Sequence, residues 1–104
     1  MLLSTTETIN SKKIVKHLGL VRGNTIRAGH IGKDIMAGLR NFVGGEVGEY
    51  TKLMAESREQ AIDRMVEEAK SLGANAIVGI KFSTAEIMGR AAEILVYGTA
   101  VIVE

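Results

Sequence analysis

The chain has 104 residues, a formal charge of +1, an apolar fraction of 46%, and only two Tyr and two Phe as aromatic side chains. That length makes a single domain, 1–104, with an aliphatic core. The absence of Cys excludes disulfides, zinc–thiolate sites and iron–sulfur clusters, and the balanced charge leaves no basic surplus for nucleic acid and no polybasic tail for a membrane.

The first residues, Met1–Lys13, lack the charged-then-apolar order of a signal peptide. No stretch approaches the roughly 18 uncharged apolar residues of a membrane span, so the expected compartment is the cytoplasm. Proline is absent, and twelve glycines punctuate the chain. Leu2–Thr5 reads as a short edge strand and Ile14–Arg22 as a strand. Gly23–Asn24 is a turn candidate, with Thr25–Ala28 continuing the sheet beyond it. Lys33–Val43 reads as a short amphipathic helix, with Ile35, Met36, Leu39, Phe42 and Val43 on one face, and Gly44–Gly45 ends it. Glu49–Leu72 reads as a long helix with an apolar stripe of Tyr50, Met54, Ala61, Met65, Ala69 and Leu72, flanked by Leu53, Ile62 and Val66. Gly73 fits a left-handed cap after it.

Asn75–Thr84 and Ala92–Val103 read as two strands of an antiparallel hairpin, joined by Ala85–Ala91 with Gly89 as the turn residue. In the last strand one face carries Ile94, Val96, Gly98, Ala100 and Ile102, and the other carries Glu93, Leu95, Tyr97, Thr99, Val101 and Val103. Both faces are mostly apolar. One helical layer covers only one face of a sheet, so another subunit is expected over the second. Gly98 has no side chain, and a backbone or a bulky side chain is expected to approach it.

Residues Arg40–Phe82 set a glycine hinge, a long charged helix, a closing glycine and an apolar strand in sequence. There the chain resembles the YbjQ-like family, labelled a "putative heavy-metal-binding domain". The matching residues are Gly44-Gly45 with Gly48-Glu49-Tyr50, then Glu67-Glu68-Ala69-Lys70 with Leu72 through Ile80. Gly98 through Val103, and Leu18 through Val21 with Gly23, match as well. The resemblance implies a two-layer α/β subunit with an antiparallel sheet, assembled as a ring-shaped homopentamer with extra short strands at the joints. It carries no catalytic residue set.

The residues themselves support little chemistry. His17 and His30 are the two histidines and the first metal candidates. His17 falls on the strand face of Val15, Gly19 and Val21, and His30 precedes the first helix. Mercury, lead and cadmium prefer thiolates, and zinc needs about three or four ligands, so carboxylates or symmetry mates would have to contribute. Glu56, Glu59, Asp63 and Glu67 share a helix face, but Lys52 and Lys70 interleave with them as on a solvated surface held by local ion pairs. Gly44-Gly45-Glu46-Val47-Gly48 precedes a helix without the Lys-Ser or Lys-Thr of a phosphate-binding loop. Ser57 and Ser71 fall at or near helix surface positions, Ser83 lies on a strand, and none has a nucleophile context. Arg22, Arg27, Lys33 and Arg40 lack interleaved aromatics, as on an ordinary surface. Met36, Met54 and Met65 read as core filler.

The expected fold is therefore α+β and two-layered: a three-stranded antiparallel sheet with one long and one short helix, the subunit of a ring. The expected function is that of a cytoplasmic homo-oligomeric binding or scaffold protein, pentameric by resemblance, with no catalytic site and no cofactor. Its partner is itself, with a small ligand or metal ion as a possible addition. The alternatives are a metal-binding or metal-stress protein with ligands shared between subunits, and a small enzyme with an inter-subunit site.

Overall fold

The computed structural model describes the backbone of residues 1–27, 47–87 and 91–104, and the side chains of residues 1–26, 52–85 and 93–104. The short helix expected over Lys33–Val43, the Gly44–Gly45 hinge, His30 and Gly89 lie outside the described residues. The elements are β1 (Leu2–Leu3), β2 (Ile14–Arg27), α1 (Val47–Ser71), β3 (Ala76–Ile87) and β4 (Ala91–Val103).

The sheet has four strands in the order β1-β3-β4-β2. Its long neighbours are antiparallel, but β1 runs parallel to β3, so the sheet is mixed and not the expected three antiparallel strands. The cause is local. Leu2 donates its N–H to the Asn75 carbonyl (3.1 Å) and Ser4 to that of Ile77 (2.9 Å), which zips the chain start onto the free edge of β3. A parallel neighbour needs a long crossover, and β2 together with α1 supplies it.

The helix α1 buries Ala61, Met65 and Ala69 against Val21, Ile77, Ile80, Ile94, Val96 and Ala100, with Met54, Ile62 and Val66 at its margins. Leu72, expected in that stripe, is exposed. The chain turns at Gly73 (φ +84°), where Gly73 donates to Lys70 (3.0 Å) and Ala74 to Ala69 (3.1 Å). This paired cap sends Ala74, not Leu72, back onto the core. Ser57, expected on the surface, is fully buried. It lies where the helix meets β2: the Ser57 hydroxyl donates to the Leu53 carbonyl (3.0 Å), and the Thr25 hydroxyl of β2 donates to the Ser57 carbonyl (3.2 Å).

Gly23–Asn24 is not a turn, because β2 runs straight through it to Arg27. The glycine serves packing instead. A Cβ there would stand 2.0 Å from the Ala61 carbonyl oxygen and 2.6 Å from the Met65 nitrogen. The helix therefore rests directly on the β2 backbone. The β3–β4 hairpin is longer than expected, with pairing that reaches Ile87 opposite Ala91. Gly98 meets the expected close approach: a Cβ would lie 2.8 Å from the Ile77 side chain and 3.0 Å from the Val78 carbonyl oxygen.

The second face of the sheet is not left wholly to a neighbour. At one end Ala76, Val78, Val101 and Val103 form a separate buried cluster, packed by Ile9 and Ile14 of the same chain. Lys13 and Glu104 exchange reciprocal backbone hydrogen bonds (2.9 Å each) that hold this cover down. The expectation that the subunit has nothing to cover this face fails there, because residues 4–13 fold back across it. Burial along β4 switches sides accordingly, from Ile94, Val96 and Ala100 beneath the helix to Val101 and Val103 beneath the N-terminal segment.

Candidate functional site

Both neighbours of β4 bulge, β2 beside Ala100 and Val101 and β3 beside Gly98. On β2, His17 pairs with Val101 but Gly19 pairs with Ala100, so Leu18 is the extra residue. On β3, Val78 pairs with Thr99 but Lys81 pairs with Tyr97, so Gly79 and Ile80 together face Gly98. A bulge shifts the alternation of side chains by one. His17 and Leu20, three apart, thus share the face opposite the helix, and so do Val78 and Lys81. This corrects the placement of His17, which the plain alternation put on the face of Val21.

The N-terminal segment walls this region. The two amides that the β3 bulge turns from β4 are used by it: Gly79 (φ +63°) donates to the Thr6 carbonyl (2.8 Å) and Ile80 to that of Ser4 (3.1 Å). The segment is itself curled by hydroxyl bonds. The Ser4 and Thr6 hydroxyls share one at 2.5 Å, and Thr6 also donates to the Thr8 carbonyl at 2.5 Å.

Between the wall and the bulged strands lies a basin of about 480 Å³, lined by Glu7, His17, Lys81 and the threonines 5, 8 and 99, with Ile14 and Gly79. Glu7, His17 and Lys81 are exposed. Among the described residues, none of these three side chains has a hydrogen bond or ion pair. The basin therefore offers one carboxylate, one ammonium, one imidazole and three hydroxyls, none of them paired among the described residues.

A second concavity lies on the helix side. The helix backbone lies nearest β2 and β4 and meets β3 mainly through the Ile77 and Ile80 side chains, so Phe82 of β3 is left partly bare. The result is an apolar groove of about 190 Å³ between Leu3, Ile62, Met65, Ile80 and Phe82. Phe82 remains 48% exposed on its rim.

The other sequence candidates are scattered. Glu56, Glu59, Asp63 and Glu67 stand exposed along α1. Among the described residues no three His, Asp or Glu side chains gather where a metal ion could be held. Ser71 and Ser83 are exposed. Arg22 is exposed on β2, and Lys52 on α1. Sequence reasoning missed Glu7 and Lys81 altogether. The one signal for them is Gly79 set within the β-branched run Ile77, Val78 and Ile80, a frequent mark of a bulge.

The comparisons with known proteins agree along the whole chain. A family model described as "Putative heavy-metal-binding" matches residues 1–104. A UPF0145 protein of Dehalococcoides mccartyi is 60% identical over 104 residues, covering all of both chains. A UPF0145 protein of Methanosarcina acetivorans is 57% identical over 101 residues, covering 97% of this chain and 95% of its own. A crystal structure of a protein of unknown function from Pediococcus pentosaceus, of the DUF74 family, superposes with a TM-score of 0.64 at 17% identity. It covers 100% of this chain and 98% of that one, and so shares the fold. A model matched from end to end, with relatives this similar over their full lengths, makes this chain a member of the YbjQ-like family, the one described as "Putative heavy-metal-binding".

Proposed function

We propose that this chain is a non-enzymatic binding or scaffold protein that works in the cytoplasm as a ring of identical copies, five by family resemblance. The observation that carries the reading is a pair of apolar surfaces on opposite edges of the sheet. One edge has the groove beside β3, with Phe82 and Leu3 at 48% and 45% exposure. The other has the outer strand β2, with Leu20 at 61% and Ile26 at 51%. Two different surfaces that complement each other make a head-to-tail contact, and a head-to-tail contact that closes makes a ring. Burying them removes apolar area from water at about 25 cal/mol per Å².

Native mass spectrometry of the untagged protein tests this. The expected result is a single closed oligomer that Phe82→Lys reduces to monomers with an unchanged circular dichroism spectrum. A monomeric parent protein at micromolar concentration sinks the reading.

Metal binding shared between copies is the second reading. It is favoured by His17 and Glu7 sharing one basin. Two donors are fewer than the roughly three or four that zinc takes, so a neighbouring copy would have to supply the rest. Zinc uptake in the same spectra that disappears in His17→Ala would support it.

A further inference from the structure

We propose that the basin between the two bulges binds a small zwitterion, a molecule that carries both an ammonium and a carboxylate group as a free amino acid does. The inference rests on the reading of the chain as a binding protein and names its ligand class. It does not depend on the ring.

The donor set decides against the other classes. Soft heavy metals take thiolates, and the chain has no Cys. For harder cations the basin offers Glu7 and His17, but Lys81 lines the same space and opposes a second positive charge. A phosphate or sulfate would suit Lys81 and the hydroxyls, but would face the Glu7 carboxylate. A zwitterion satisfies both signs at once. Its carboxylate accepts from Lys81 and from the threonine hydroxyls, and its ammonium donates to Glu7. His17 has ring nitrogens that can serve either end. Charge-assisted bonds of this kind are about twice as strong as neutral ones.

The placement is built rather than incidental. The two bulges bring His17 and Lys81 to the same face from opposite sides of Thr99. The wall that carries Glu7 is tied to one of those bulges by the Gly79 and Ile80 amides. The basin's roughly 480 Å³ falls within the ~300–1,000 Å³ of small-molecule sites.

Saturation-transfer NMR on the full-length protein tests the proposal, because it detects weak ligands on large assemblies. The probe is a mixture of the free proteinogenic amino acids, run beside the same mixture with amines acetylated and, separately, with carboxyls amidated. At least one free amino acid should give a saturable signal that both cappings abolish. Glu7→Gln and Lys81→Met should each weaken it about tenfold or more, the loss expected for one charge-assisted bond. Both positions are exposed, and melting curves would confirm that the variants fold. Silence from every free amino acid overturns the proposal. So does equal binding of either capped form, or a signal that both variants leave intact. Zinc binding that Lys81→Met strengthens, or inorganic phosphate binding that Glu7→Gln strengthens, without any amino-acid signal, would assign the basin to a bare ion instead. Native mass spectra of the same samples report the assembly separately, so a failed ring and a failed ligand are told apart.

Discussion

Gly23 shows how one missing side chain sets the distance between layers. The Ala61 carbonyl and the Met65 amide occupy the space a Cβ would need. Those atoms are helix backbone and cannot rotate away. Gly23→Ala should therefore cost about 3 kcal/mol or more, at the upper end of overpacking effects. Urea denaturation measures it, and a loss below about 1 kcal/mol would mean that α1 slides without penalty. Asn75 works in the opposite way, by adding contacts. Its amide group donates to the Val103 carbonyl (2.9 Å) and accepts from the Val103 N–H (2.8 Å), so a side chain stands in for a strand at the end of the sheet. Asn75→Ala should lose about 1–3 kcal/mol by the same assay. Neither role was legible in the sequence. Gly-Asn between apolar runs reads as a turn by composition, and only the helix lying across it shows why the glycine is needed.

Among the elements, the long helix and the two long hairpin strands were legible because their periods are strong and Gly73 marks the boundary between them. Faces were legible only as far as the alternation ran without a break. It breaks at Val15 and Leu18 on β2 and at Gly79 on β3. A bulge leaves little trace in composition, so plain alternation puts His17 on the wrong face and does not mark Lys81. The bulge also supports a test. Removing Leu18 should leave His17 beside Gly19 and still opposite Val101, on the face away from the helix. The cost is the packing of Leu18 against the core and the local twist that the bulge gives β2. The deletion variant should melt well below the parent protein in a circular dichroism scan, whereas Leu18→Ala, which keeps the extra residue, should melt much closer to it. Equal melting of the two variants would refute a structural role for the bulge's extra residue.

For the whole molecule, the sequence correctly signalled two apolar sheet faces but not the segment that covers part of one. Ile9 sits alone in a polar run, and nothing periodic marks it as a core residue. The parallel pairing of β1 escaped for a similar reason: two residues carry too little pattern to assign a partner. The central position of β4 was legible only once the strand order was known, and it has a kinetic consequence. From Ile94 to Ala100 every residue but Gly98 is paired on both flanks, by β2 and by β3, and alternate residues are sealed beneath α1. Their amide hydrogens can meet solvent only when the sheet itself comes apart, so their exchange with deuterium should track global unfolding. Leu2 and Leu3, held by one neighbour at the rim, should exchange first. Mass-resolved labelling over minutes to days would read the strand order as a clock, from the rim inward to the strand that has no free edge.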